Sequence, residues 1–155
     1  MPDQDTQSKS EHLEFVTFVA GRQSFCVEIT QIREIRRWTP ATVLPHSPPH
    51  VLGVINLRGA VIPIIDLAVK LGFEKITPTE RHVIIITAIQ DRIVGLLVES
   101  VSEILGVSAD KLREAPRGTE DDTTRAISGI IPIGDDMTKI INLHALDAPR
   151  TQVAA

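Results

Sequence analysis

A chain with a single cysteine, Cys26, forms no internal disulfide and no cysteine-based metal cage, so its stability has to come from apolar packing. Cys26 also sits inside a strand pattern, which marks a buried, inert thiol rather than a nucleophile. Basic excess is missing as well. With 16 Lys and Arg against 20 Asp and Glu the net charge is −4, and no positive field draws the protein onto nucleic acid or an anionic membrane. No apolar run reaches the ~20 residues of a spanning helix, because Pro63, Asp66, Gln90 and Asp91 interrupt the best candidates. The opening residues, Met1 to Ser10, hold no apolar stretch that would serve as a signal or anchor. Together these absences point to the cytoplasm and to no direct membrane contact.

Catalytic and ligand-binding patterns are equally scarce. His46 and His50 are four apart, but Pro48 and Pro49 lie between them and prevent a shared helical face, and His12, His82 and His144 are scattered. No nucleophile elbow surrounds Ser24, Ser47 or Ser128, and no glycine-rich phosphate loop is present. Glu120, Asp121 and Asp122 form an acidic run in a Thr-rich stretch that reads as a solvated loop. The expectation is a protein with no catalytic residues, no cofactor and no metal. A small hydrolase using Asp66 or Asp135 in a pocket is the enzymatic rival, and no paired acid and base in a recognisable context supports it.

What the chain does have is Ile and Val. Aromatics are only 3% of residues, and the apolar set is dominated by β-branched side chains, which favours strands. Residues 13–20 alternate, turn at Gly21-Arg22-Gln23 and resume over 24–29, a hairpin. Thr30 suits the cap of a helical turn over Gln31 to Ile35. Arg33, Glu34, Arg36 and Arg37 then cluster around Trp38, which reads as packed over a barrel end or as part of a protein-binding patch. After a proline-rich connector comes Gly53-Val54-Ile55-Asn56-Leu57-Arg58-Gly59-Ala60-Val61-Ile62-Pro63-Ile64-Ile65-Asp66-Leu67. It reads as two strands, covered on both faces, joined by a tight turn at Arg58-Gly59, with Asp66 capping a short helix that Gly72 ends. Pro63 belongs at an edge or a bulge.

The pattern then repeats. Aligning the second half on the first sets Phe25 on Val94, Ile29 on Val98, Ile32 on Val101, Glu34 on Glu103 and Ile35 on Ile104 with one common offset, and residues 127–143 echo 52–67. Two units of about five short strands, roughly 13–75 and 80–147, each close into a small barrel and bury apolar faces against one another, leaving a groove between them. Residues 1–12 and 148–155 read as flexible tails.

The run from Gly53 to Arg58-Gly59 and on to Asp66-Leu67 resembles the signature of the CheW family, the coupling proteins of bacterial chemosensory arrays. The likeness extends from about Glu14 to Leu146. It implies an all-β fold with short helices, a single CheW-like domain over 13–147 in which two pseudo-duplicated, intertwined SH3-like barrels pack around a shared apolar core. It also implies a non-enzymatic adaptor with two partners: the helical hairpin tip of a chemoreceptor, laid in the groove, and the regulatory domain of the histidine kinase CheA, docked end to end on a barrel. The residues it suggests for the receptor are Glu34, Val54, Arg58, Val61 and Val101; for the kinase, Phe15, Val27 and Ile29. The C-terminal helix of many relatives is expected to be short or missing. The nearer rival is a stand-alone relative of the kinase regulatory domain that caps or rings an array.

Overall fold

Among the residues that the computed structural model describes, 11–115 and 126–146, ten strands form two five-stranded sheets. The strands are β1 (His12–Ala20), β2 (Gln23–Glu28), β3 (Ile32–Arg37), β4 (Val51–Leu57), β5 (Ala60–Asp66), β6 (Val83–Ile89), β7 (Arg92–Val98), β8 (Ser100–Ser108), β9 (Ile127–Ile133) and β10 (Asp136–Ile141). One sheet runs β8-β1-β2-β10-β9 and the other β3-β6-β7-β5-β4. Each corresponds to one of the two small SH3-like barrels.

Sheet membership does not follow the division into 13–75 and 80–147. The hairpin β1–β2 of the first half pairs with β8 and, in parallel, with β10 of the second. Reciprocally, β6–β7 of the second half pairs with β3 and, in parallel, with β5 of the first. Each half gives its leading hairpin to one barrel and its remaining three strands to the other. A repeat in the sequence records which strands are equivalent and not which hairpin a strand adds to. The 3-10 turn Ile29–Gln31 is where the chain crosses.

That turn also corrects the helix expected over Gln31 to Ile35. The helical residues are Ile29–Gln31, and Ile32 to Arg37 form a strand paired with β6. Apolar Ile32 and Ile35 are spaced as on a helix, yet a bulge between Ile32 and Glu34 produces the same spacing in an extended chain. The reading of the helical turn after β5 stands. Asp66 caps the helical turn Leu67–Lys70, its Oδ1 accepting from the N–H groups of Ala68 at 3.1 Å and Val69 at 3.4 Å, and Gly72 follows with a φ of 92°. Pro63 is neither on an edge strand nor at a bulge as expected: β5 is interior to its sheet, and the proline is accommodated because pairing with β7 starts at Ile64, one residue beyond it, so the missing N–H interrupts no bond on that side. The flexible N-terminal tail was expected to include His12, but β1 begins there, and the carbonyl of Glu11 accepts from Ala109 N at 2.7 Å. Residues 1–10 and 147–155, like the acidic run 120–122, lie outside the described residues.

Burial explains the run of Ile and Val. The largest cluster lies between the barrels and draws Phe18, Phe25 and Val27 from one sheet and Ile85, Leu96 and Val98 from the other. Alternate residues fill the barrels: Ile55, Ile62, Ile64, Ile84 and Leu97 in one, Phe15, Cys26, Ile131 and Ile140 in the other. Strands β6 and β7 are therefore apolar on both faces. The hairpin β4–β5 is not covered on both faces as expected, since Asn56 and Val61 face outward and are exposed. Trp38 is partly buried against the first of these fillings, which supports its packing role.

Candidate functional site

Strands β3 and β8 are the first strands of each half after the chain crosses to the other barrel, and a groove of about 430 Å³ lies between them. Ile32, Arg33, Glu34 and Ile35 line it from β3, Val101, Glu103 and Ile104 from β8, with Val16 and Ile29 completing it. Each strand is bulged at the same place in the repeat, between Ile32 and Glu34 in β3 and between Val101 and Glu103 in β8. A bulge breaks strict alternation, which lets residues 32, 34 and 35, and 101, 103 and 104, share one surface. The matched pairs of the sequence repeat thus stand on the two walls of a single groove. Its apolar lining is accessible: Ile104 is 59% exposed and Ile35 43%.

The β3 rim carries a charge cluster. Arg58 Nη2 donates to Glu34 Oε1 and Arg36 Nη1 donates to Glu34 Oε2 at 3.0 Å. The hydrogen bond from Arg58 first, and that from Arg36 after it, hold the Glu34 carboxyl below the usual carboxylate range. Since β3 begins the order β3-β6-β7-β5-β4 and the Arg58 turn joins its last two strands, this contact also shows the sheet curling round on itself. The turn is tight: Arg58 and Gly59 both have positive φ, 50° and 89°, and Asn56 Oδ1 accepts from Gly59 N at 2.9 Å. Two left-handed central residues define the hairpin turn that matches strand twist, for which Asn-Gly is the favoured pair. Arginine in the first position is a conformational cost with no compensating burial, because its side chain is 70% exposed.

Of the five residues expected at a receptor contact, Glu34 and Val101 line the groove and Arg58 joins its rim through Glu34. Val54 and Val61 lie on the outer face of β4–β5, opposite Pro63 and Asn56, with Val61 69% exposed. The kinase set fares differently. Phe15 (2% exposed) fills one barrel and Val27 (0%) lies in the shared core, so neither reaches a partner; alternation read from sequence cannot tell a barrel's inside from its outside. Ile29 is accessible but belongs to the groove. The residues that sequence reasoning passed over are Ile35 and Ile104, although their match in the repeat, two large apolar side chains beside two glutamates, was the available signal.

Among the described residues no cluster of three His, Cys, Asp or Glu side chains is placed to hold a metal ion. His82 Nδ1 accepts from Thr79 N at 2.9 Å, and Asp66 is committed to its cap, so both have structural partners. Burial pushes the Cys26 thiol up to about 12, against the lowering effect of a hydrogen bond with Thr138. No described helix is long and apolar enough to cross a membrane.

An all-β double barrel with an accessible apolar groove edged by an ion-paired glutamate has the fold and surface of a protein-binding module. Residues 14–149 match the model of the CheW-like domain, and the chain belongs to that family. It is 48% identical over 142 residues to the probable chemotaxis protein CheW of Rhizobium etli and 44% identical over 142 residues to the chemotaxis protein CheW of Rhizobium meliloti, covering 92% of this chain and 92% of each relative. Among solved structures it is similar to the scaffolding protein TtCheW from Thermoanaerobacter tengcongensis, with a TM-score of 0.82 and 30% identity, covering 89% of this chain and 94% of that one.

Proposed function

We propose that the protein couples chemoreceptor signalling tips to the histidine kinase CheA in the cytoplasm, and does so by binding alone. The observation that carries this reading is the groove between β3 and β8, whose exposed Ile35 and Ile104 form an apolar strip beside the Arg58–Glu34 pair. An amphipathic helix laid in an apolar groove is a recurrent mode of recognition, and a helical receptor hairpin presents such a face. Arg58 and Glu34 lie at the rim, where a partly desolvated arginine contributes to specificity and on-rate.

The kinase contact has to use another face. Among the described residues, exposed large apolar side chains outside the groove include two adjacent pairs, Val43 and Leu44 in the loop whose Thr42 bridges to Val54, and Ile133 and Met137 beside the β9–β10 turn, with Val61 and Ile93 exposed singly. Docking of the kinase regulatory domain end to end on one barrel would cover one of them, so Val43→Glu and Met137→Glu separate the two.

Reconstitution with CheA and a receptor signalling fragment, read as kinase activity, tests the whole reading. The parent chain is expected to raise kinase activity only with receptor present, and Ile104→Glu to lose that effect while keeping its β-sheet circular dichroism. Normal activation by Ile104→Glu overturns the groove assignment. A protein that only caps an array would bind without raising activity.

A further inference from the structure

The two matched glutamates of the groove are held in different ways. Glu34 is gripped through its carboxylate by Arg58 and Arg36. In the second half, Gly134 and Leu105 stand where the repeat places those two arginines. Among the described residues Glu103 accordingly has no cation partner: it is exposed, and both ion pairs of the groove rim are made by Glu34. Its backbone is fixed instead. The hydroxyl of the buried Thr17 accepts from Glu103 N and donates to Glu103 O, both at 3.2 Å, on the bulge itself. In the matching position of the other barrel stands Ile86, which has no hydroxyl to do this. The groove is therefore apolar along its length and electrically asymmetric across it: at the β8 wall a carboxylate carried on a fixed backbone with no cation partner among the described residues, and at the β3 wall the exposed guanidiniums of Arg33 and Arg58.

We propose that Glu103 is a specificity-determining residue that sets the orientation of the bound helix. The partner it fits is an amphipathic helix whose apolar stripe lies on Ile35 and Ile104, with a lysine or arginine directed at Glu103 and an acidic residue toward Arg33. Reversing such a helix end to end or rolling it about its axis brings like charges together, which is how a nearly symmetric groove accepts one orientation and rejects the others. The proposal rests on the groove being the receptor site and adds the charge that the receptor must carry.

The test is the dissociation constant of a soluble receptor signalling hairpin, measured at two salt concentrations for the parent, Glu103→Gln, Glu103→Lys and Ile104→Glu. Glu103→Gln is expected to weaken binding about three- to tenfold and to flatten its salt dependence, since a charge pair is lost with little change in shape. Glu103→Lys should weaken it further, and reversal of one basic residue on the hairpin to Glu should restore it. Thr17→Val, which frees the bulge, should lose part of the same effect, with Thr17→Ser recovering it. If both Glu103 variants bind like the parent while Ile104→Glu does not, the groove is the receptor site and Glu103 has no part in orientation. If Ile104→Glu also binds like the parent, the groove reading falls and the proposal with it.

Discussion

Arg58 occupies the first central position of a turn for which asparagine is the better residue, and substituting it separates stability from function. A left-handed conformation costs an ordinary L-residue roughly 1 kcal/mol, most of which asparagine avoids by bonding its own backbone. The ion pair with Glu34 that Arg58→Asn removes offsets this only slightly, because the arginine is 70% exposed and an exposed pair contributes little to folding. The net change is then a stabilisation of up to about 1 kcal/mol, which for a chain of this size raises the Tm by roughly 2–4 °C. Arg58→Ala keeps the strain and loses the pair, so it should melt at or slightly below the parent. Both variants are expected to bind a receptor signalling hairpin about tenfold or more weakly, the equivalent of about 1.4 kcal/mol. Kinase binding should change much less. Scanning calorimetry and titration of the hairpin on the same samples check the two halves. An Arg58→Asn protein that is markedly less stable than the parent, or one that binds the receptor normally, refutes the reasoning that Arg58 is kept for recognition at the expense of the turn.

Gly59→Val should destabilise by about 1 kcal/mol or more through backbone strain alone, since φ is 89° and no atom lies within 4 Å of an added Cβ; a Tm equal to the parent's would show that the turn relaxes at no cost. Asp66 is buried, and desolvation raises its carboxyl above the ordinary range despite bonds from the N–H groups of Ile76, Val69 and Ala68. A carboxyl raised in the folded state takes up its proton on acidification before the unfolded chain does. Asp66 therefore contributes stability that grows as pH falls through its raised folded value and is lost as pH rises. Denaturant unfolding of the parent and Asp66→Asn at pH 7 and near pH 5 should show the parent gaining relative to the variant at the lower pH, and a constant difference would count against it.

Local chemistry was the legible part of the sequence. The Arg58-Gly59 turn, the Asp66 cap and the equivalence of the two halves each rest on a short-range signal: positive φ, a carboxylate ahead of free N–H groups, and a repeated spacing of Ile, Val and Glu. What the sequence did not show depends on contacts between distant strands. Phe15 and Val27 alternate like surface-contact candidates, and only the closure of one barrel and its packing on the other decides that both are buried. Ile35 and Ile104 appeared in the sequence only as a matched pair of the repeat, and they are exposed on strands that carry paired bulges. A bulge leaves no residue signature as definite as a glycine in a turn, and so the groove's own lining was the least visible feature.

The exchange of strands makes a prediction of its own about the connector between the halves. Cutting between Thr77 and Pro78 leaves each fragment with a hairpin from one barrel and three strands from the other. In the first fragment Phe18, Phe25 and Val27 lose Ile85, Leu96 and Val98 across the shared core, while β3 and β5 lose β6 and β7. A two-stranded hairpin with its apolar face uncovered is at best marginal in water, and unpaired strands add aggregation-prone edges. Neither fragment should therefore unfold cooperatively alone. Mixed in equal amounts they should associate and recover native-like circular dichroism and a cooperative, concentration-dependent transition, because every missing partner of one is present in the other. Had the barrels followed the sequence as 13–75 and 80–147, each fragment would fold independently and mixing would add little. A cooperative transition in either isolated fragment at its parent's Tm would therefore be incompatible with the exchanged pairing of β3 with β6 and of β8 with β1.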